Sequence, residues 1–306
     1  MDICLVITTY YRNDRLERAI QSGVDQTREL DEIIVVDGTG EAYARSVTEH
    51  FDEVDLVAME EDRGLGGSRD EGVTASDAEY VHFLDDDDYL HQDAILKMEQ
   101  KAKETGAGVI YSGLKWSNGH EVRPDPSVQG DVLSESLTFK MAPCLPSMMM
   151  VRRELFEQIA PTARLPIDDG AMKIELAQIT EFEYVNEALT IRGKTDNSLG
   201  GDPVTAEKRF EMLDYYKNLY EEQPDWVERE ARSRSHLLAG TIAVQNSRWS
   251  PTAIRHFLLA NYYRPRISVP HLGALIASLF GRFGWSVGMD VYNRYFLGKN
   301  HSGTLD

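Results

Sequence analysis

The sequence predicts an α/β fold: a mostly parallel sheet flanked by helices, joined to a helical C-terminal region. Three observations carry that expectation. Short continuous apolar runs alternate with helically spaced segments in the first part of the chain, as in strand–helix units of a parallel sheet. Acidic residues sit at the predicted carboxyl ends of two of those runs, where such sheets bind ligands. From about Thr205 onward the pattern is helical.

In order, ICLVI (Ile3 to Ile7) reads as a buried first strand, with neither the basic n-region nor the long apolar core of a signal peptide. DRLERAIQSGVDQ (Asp14 to Gln26) places Leu16, Ala19, Ile20 and Val24 at helical spacing. EIIVVDG (Glu32 to Gly38) is a second strand ending on Asp37, and DLVAM (Asp55 to Met59) a third. After the glycine-rich turn RGLGG, SRDEGVTAS (Ser68 to Ser76) fits a short helix. EYVHFL (Glu79 to Leu84) is a fourth strand and runs into Asp85, Asp86, Asp87 and Asp88. By strand alternation His82 faces away from Phe83 and reads as a packing histidine. VIYSGLKW (Val109 to Trp116) is a further strand, followed by a loop-rich section containing Pro124, Pro126, Pro143 and Pro146. Helical patterns cover Arg152 to Ile159 and Leu165 to Ile179, and a late strand runs from Glu183 to Gly193. A boundary falls near Asp202 to Thr205, giving a catalytic region of residues 1–204 and a helical extension of residues 205–306.

Composition narrows the classes. The 306 residues hold 51 acidic and 32 basic side chains, a net charge of -19. Only 10 of the basic residues are Lys and 22 are Arg. An acid-rich, lysine-poor surface is expected of a protein working in concentrated salt, where self-repulsion is screened; an acidic mesophilic protein is the plainer alternative. Either argues against nucleic acid as a partner. Cys4 and Cys144 lack ligand-like spacing and read as free thiols in a reducing compartment. No stretch reaches the ~18 apolar residues of a spanning helix.

The run FLDDDDYL demands a cause, because unit charges about 4 Å apart repel by roughly 4 kcal/mol at an effective dielectric near 20. An EF-hand is excluded, since the spaced ligands, the central Gly and the closing Glu are absent. A solvated acidic turn and a divalent cation site both stay open. The cation, a hard Mg²⁺ or Mn²⁺ shared with substrate phosphates, accounts better for carboxylates set against a buried strand. A dehalogenase-type phosphatase would place its Asp pair after the first strand, whereas here that strand ends in ITTYY. RGLGGSRDEG reads equally as a phosphate cradle or a tight turn.

VITTYYRNDRLERAIQSGVDQT, DEIIVVDG, EDRGLGGSRDEG and AEYVHFLDDDDYL, in this order and spacing, resemble the nucleotide-binding half of family 2 glycosyltransferases with the GT-A fold. The likeness continues through PSMMMVRRELFEQIAPTARLPIDDGAMKIELA to YVNEALTIRGKTDNSLG, covering about residues 1–200. It implies a nucleotide-sugar-binding half (residues 1–112), an acceptor half (113–204) and a donor site drawing on Thr8, Tyr10, Arg12, Asp37, Arg69, Asp85 and Asp86. Asp85 and Asp87 would be the Asp-x-Asp pair holding Mn²⁺ or Mg²⁺. The Asp168–Asp169 pair would contribute the catalytic base, Asp169 favoured; as plain residues the two also read as a helix N-cap pair. The family often has two acids in the second-strand motif, whereas Gly38 follows Asp37 here. In some members that second acid reads the base, so its replacement by Gly38 leaves the base open; uridine is expected over guanosine. The implied reaction is an inverting, metal-dependent transfer from a nucleotide diphospho-sugar to a glycan or lipid-linked acceptor. A nucleotidyltransferase or phosphatase on a similar sheet, and a non-catalytic glycan- or nucleotide-binding protein, are the rivals.

Between Thr252 and Phe296 lie five arginines and one acid, Asp290, against the prevailing charge. Interleaved with apolar and aromatic residues, they suit an amphipathic segment on an anionic membrane surface, or a helical tail packed on the acidic body. The salt-adapted composition and this basic tail together suggest assembly of dolichol-linked glycans for surface glycoproteins in a haloarchaeal type of cell, the enzyme being cytoplasmic and peripheral to the membrane.

Overall fold

In a computed structural model, which describes residues 1–164, 168–193, 203–264, 266 and 268–296, β1 (Ile3–Thr9) buries every one of its residues. Its uninterrupted apolar run follows from having two faces to fill. Cys4 and Val6 join one core cluster with Ile34, Val36, Val81 and Phe83, while Ile3, Leu5 and Ile7 join another with Ile33, Val35 and Leu84. The chain divides into two compact units, Met1–Ser136 with Lys140–Thr195, and Leu137–Phe139 with Asp196–Asp306.

The first unit continues through α1 (Asn13–Val24), β2 (Glu32–Asp37), α2 (Arg45–Thr48), β3 (Val54–Ala58), α3 (Gly64–Ala75), β4 (Tyr80–Asp85) and β5 (Asp88–Leu90). It goes on with α4 (Ala94–Thr105), β6 (Val109–Trp116), β7 (Glu121–Val122), α5 (Leu133–Leu137), β8 (Met149–Arg152), α6 (Arg153–Ile159), α7 (Asp168–Ala177) and β9 (Phe182–Arg192). The spatial order is β3-β2-β1-β4-β8-β6-β9-β5, with β7 beside β6. β3, β2, β1 and β4 are mutually parallel, and so are β6 and β9. β8 lies antiparallel between β4 and β6, and β5 antiparallel on β9. The expected sheet is thus present, in mixed form.

Register matters most for function. Thr8 lies beside Asp85, and Thr9 beside Asp37, so the carboxyl ends of β1, β2 and β4 meet at one edge.

Two expectations need correction. RGLGG is not a turn ahead of a short helix: α3 already starts at Gly64, where φ of +70° admits the chain into the helix. Its glycines serve close packing as well. A Cβ on Gly72 would stand 2.3 Å from Val6 Cγ1 and 3.1 Å from Val36 Cγ2, so only glycine lets α3 lie this near the sheet. The section read as loop-rich also contains β8, whose MMVR backbone ties the two parallel parts together. The helix expected from Leu165 begins at Asp168; Leu165 to Ile167 lie outside the described residues, as does Asp202 at the expected boundary.

The second unit is helical: α8 (Pro203–Tyr215), α9 (Lys217–Glu221), α10 (Asp225–Gln245), α11 (Pro251–Tyr263), α12 (Val269–Leu279) and α13 (Gly281–Phe296). α11 starts where Ser250 Oγ accepts the Ala253 amide and Pro251 takes the first turn. Buried Phe257 on α11 packs against Gly240 of α10, where a Cβ would come within 2.8 Å of its ring, and stacks on Trp285 of α13 at 5.3 Å.

His82 is fully buried, and neither ring nitrogen has a hydrogen-bond partner. Burial lowers its pKa to about 4. The folded state therefore holds it neutral, and stability present above pH 6.5 is lost as the pH falls toward 4. Replacement by Leu, apolar and of similar size, is expected to leave stability at pH 7.5 within about 1 kcal/mol and to flatten part of that acid loss, read by urea unfolding at several pH values. Gly72→Val, by contrast, is expected to cost about 1–3 kcal/mol through overpacking against Val6, measured as a lowered urea midpoint with unchanged slope.

Candidate active site

Asp85 is the last residue of β4 and Asp88 the first of β5, so the four aspartates turn the chain between two strands. Each has a different environment. Asp86 is buried and is the turn's internal anchor: it accepts from Thr9 Oγ1 at 2.8 Å, from the Tyr10 amide at 3.4 Å and from Arg12 Nη1 at 3.2 Å. Burial pushes its carboxyl up to about 6. Asp87 faces Arg12 at 3.3 Å and Arg15 at 3.8 Å, and its carbonyl accepts from the Gly193 amide at 3.1 Å. A Cβ on Gly193 would lie 2.1 Å from that carbonyl oxygen, so the end of β9 clasps the turn only because residue 193 is glycine.

Asp85, Asp87 and Asp88 each bring a carboxylate oxygen within 4.8 Å of the others. Asp88 Oδ1 is buried without a hydrogen-bond partner. Burial, then the charges of Asp85 and Asp87, lift the Asp88 carboxyl to about 7. Asp85 is also raised, chiefly by burial. Three hard oxygen donors converging at this range, one of them unsatisfied, fit a divalent cation, whose charge would favour their ionised forms. Asp88 was missed as a ligand because its inward aim depends on β5 pairing with β9, where it sits opposite Arg192. Ser147, whose Oγ accepts from the Asp85 amide at 3.1 Å, was missed because the pairing of β8 with β4 is what brings it there.

Arg69 projects from α3 and is 1% exposed. Its Nη2 donates to Asp85 at 3.3 Å and its Nη1 to Asp169 at 2.9 Å, linking the aspartate turn to the start of α7. Asp169 keeps about a third of its side chain open to solvent. Asp168 opens α7, and its side chain lies outside the described residues. Asp37 is buried, with Oδ1 accepting from the Thr39 amide and hydroxyl and Oδ2 from the Ala44 amide. It therefore shapes the loop after β2 instead of offering a bare carboxylate. Thr8 is buried nearby with its Oγ1 unpartnered. Tyr10 is exposed and packs edge-on to Tyr11 at 4.9 Å; Tyr11 in turn meets Tyr43 at 5.1 Å. The YY pair directly after a strand end was the available sequence signal for this aromatic wall. Gly64 N donates to Asp62, so an acidic side chain already occupies the front of RGLGG.

An open cavity of about 420 Å³ lies elsewhere, lined by Tyr89, Lys115, Trp116, Arg123 and Glu187 among others. Its charges are already paired, Lys115 with Glu121 and Lys97 with Glu187. The converging aspartates, with the unsatisfied Asp88 Oδ1, make the turn after β4 the stronger candidate site.

Residues 4–160 match the model for glycosyl transferase family 2. More than half of the chain is covered, and the protein belongs to that family. It is similar to an uncharacterized glycosyltransferase of Nostoc sp., 26% identical over 81% of this chain and 84% of the relative. It is 31% identical, over 39% of this chain and 40% of the relative, to the GalNAc(5)-diNAcBac-PP-undecaprenol beta-1,3-glucosyltransferase of Campylobacter jejuni. The succinoglycan biosynthesis protein ExoO of Rhizobium meliloti is 29% identical over 37% of this chain, and the match spans only 33% of ExoO's own length. Among solved structures, residues 1–349 of S. aureus TarS give a TM-score of 0.63 at 15% identity, covering 96% of this chain and 92% of that one. The mannosyltransferase PcManGT of Pyrobaculum calidifontis, in complex with GDP-Man and Mn²⁺, gives 0.59 at 15%, covering 96% and 87%. The fold is that of GT-A glycosyltransferases. Family membership places the chain among the glycosyltransferases and not with the phosphatases or nucleotidyltransferases on a similar sheet.

Asp86→Ala is expected to strand the Thr9 hydroxyl and to cost about 1–3 kcal/mol, seen as a lower thermal midpoint. Thr9→Val in the same background should then add little, and a full additive loss would refute the pairing.

Proposed function

We propose that this enzyme transfers a hexose, with inversion, from a UDP-sugar in preference to a GDP-sugar, onto a hydroxyl of a glycan or a lipid-linked (dolichol phosphate) acceptor. The observation that carries this reading is the buried Arg69 guanidinium joining Asp85 to Asp169. It ties a group suited to the departing diphosphate to a carboxylate suited to the incoming hydroxyl. Asp85, Asp87 and Asp88 would hold Mn²⁺ or Mg²⁺, which when bound neutralises charge on the leaving diphosphate. Asp169 accepts the acceptor hydroxyl's proton as that oxygen attacks the anomeric carbon. Arg69 engages Oδ1 of Asp169 and so orients the carboxylate for that transfer. Tyr10 and Tyr11 offer faces for the base, and Thr8 and Arg12 flank the nucleotide side.

TarS has been solved in complex with UDP-GlcNAc and the mannosyltransferase with GDP-Man and Mn²⁺. These complexes support a nucleotide-sugar donor and a divalent cation without choosing the base. The Campylobacter relative, named for an undecaprenol-linked acceptor, supports the lipid-linked alternative. The acid-rich, lysine-poor composition adds assembly of surface glycans in a salt-adapted cell, on the cytoplasmic face of its membrane.

Asp169→Asn should lower transfer by about 10²–10⁴-fold while UDP binding in the presence of Mn²⁺, followed by calorimetry in concentrated KCl, stays within about threefold of wild type. Asp87→Asn or a chelator should instead abolish that binding. Full transfer activity in Asp169→Asn would move the base elsewhere. Binding indifferent to both metal and Asp87 would leave the aspartate turn without a catalytic role.

A further inference from the structure

The junction of α12 and α13 carries an unpartnered aromatic knob. Phe280 is 70% exposed, Phe283 78% and Trp249, from the α10–α11 connection, 58%. The knob is held in place from beneath. Trp249 Nε1 donates to the Leu279 carbonyl at 3.2 Å, and the Arg282 amide donates to the Arg248 carbonyl at 2.9 Å. Gly281, at φ +65°, brings its backbone so near that a Cβ would stand 2.2 Å from the Arg248 oxygen. The indole's polar atom is thus satisfied inside the protein, and its apolar surface faces outward. Exposed Ile276 and Leu279 extend the apolar face along α12, and Val287 extends it along α13.

Exposed Arg248 and Arg282 flank the knob, while Arg232, Arg234 and Arg264 pair with Glu228 and Glu230 and α13 carries one acid, Asp290. From Ala231 to Met289 there is no Asp or Glu, although one residue in six of the whole chain is acidic. The same stretch contains seven arginines, among them Arg248 and Arg282 beside the knob. Among the described residues no helix is long and apolar enough to cross a membrane.

We propose that the α12–α13 face docks on the surface of a bilayer with anionic headgroups, the aromatic knob entering the interface and the arginines meeting the phosphates. Trp and Phe with flanking Arg are the residue types that interfacial helices use, and attraction to anionic lipid adds to buried apolar area. A second copy is a poorer occupant, because an isologous contact would bring two arginine-rich faces together. The docking accords with the lipid-linked acceptor of the proposed function but does not rest on that reading.

The test is flotation of the full chain with phosphatidylglycerol–phosphatidylcholine vesicles and with phosphatidylcholine alone, at low and molar salt. Wild type is expected to float with the anionic vesicles at least about tenfold more than with neutral ones at low salt. Phe280→Glu/Phe283→Glu should lose about tenfold or more of that binding at both salt levels. Arg248→Gln/Arg282→Gln should lose it mainly at low salt, since screening shortens charge interactions to about 3 Å at 1 M. Circular dichroism and Mn²⁺-dependent UDP binding of each variant report folding and the donor site separately. Wild type that stays unbound, or binds vesicles equally with both Phe replaced, overturns the proposal. So does a concentration-dependent dimer in sedimentation that the Phe variant abolishes, because a second copy would then cover the face.

Discussion

A guanidinium removed from water costs several kcal/mol unless its partners are fixed around it, and Arg69 is the buried cation that joins the two sides of the candidate site. It is nearly inaccessible and spans Asp85 at the end of β4 and Asp169 at the start of α7. Its placement depends in turn on Gly72. Residues three apart share a helix face, so the close approach that Gly72 allows between α3 and β1 also sets where Arg69 reaches. One small residue and one large cation on the same helix thereby fix the distance between the two ends of the site.

Much of the first unit could be read from the chain because its strands advertise themselves locally. Ile3 to Ile7, Glu32 to Asp37 and Val109 to Trp116 are apolar runs between breakers, and the acids at their ends point to a shared crevice. What escaped detection depends on partners far away in sequence. β5 is three residues long and begins on the last aspartate of the acidic run; only its pairing with β9 makes it a strand and fixes Asp88 in its buried position. β8 is a run of methionines whose role comes from lying between β4 and β6. For Asp37, the strand end was legible but the loop was not. Thr39 and Ala44 take up its carboxylate through hydrogen bonds that depend on local backbone geometry, which residue types alone do not encode.

The aspartate turn shows one motif divided among several physical tasks. Asp86 satisfies the backbone and a hydroxyl and keeps the turn closed. Asp87 pairs with Arg12 and Arg15 while its carboxylate also converges with those of Asp85 and Asp88. Asp88 is buried beneath them, and the charges of Asp85 and Asp87 add to burial in disfavouring its ionised form. A run that looks uniform in sequence is therefore three environments within four residues. In the helical unit, residues 231–289 hold seven arginines and no acid, and three of those arginines pair with Glu228 and Glu230 just before the stretch.

The antiparallel insertion of β8 has a consequence for the order in which the chain can assemble. β1 to β4 are neighbours in both sequence and space, so their sheet can close from contacts available early in synthesis. Arg69 then has Asp85 sixteen residues away, but Asp169 lies 100 residues downstream. Ser147 and β9 also emerge late. A nascent chain long enough to form the β1–β4 sheet consequently lacks one carboxylate partner of Arg69 and the clasp on the aspartate turn, and this connectivity is complete only when the last strand of the sheet is made.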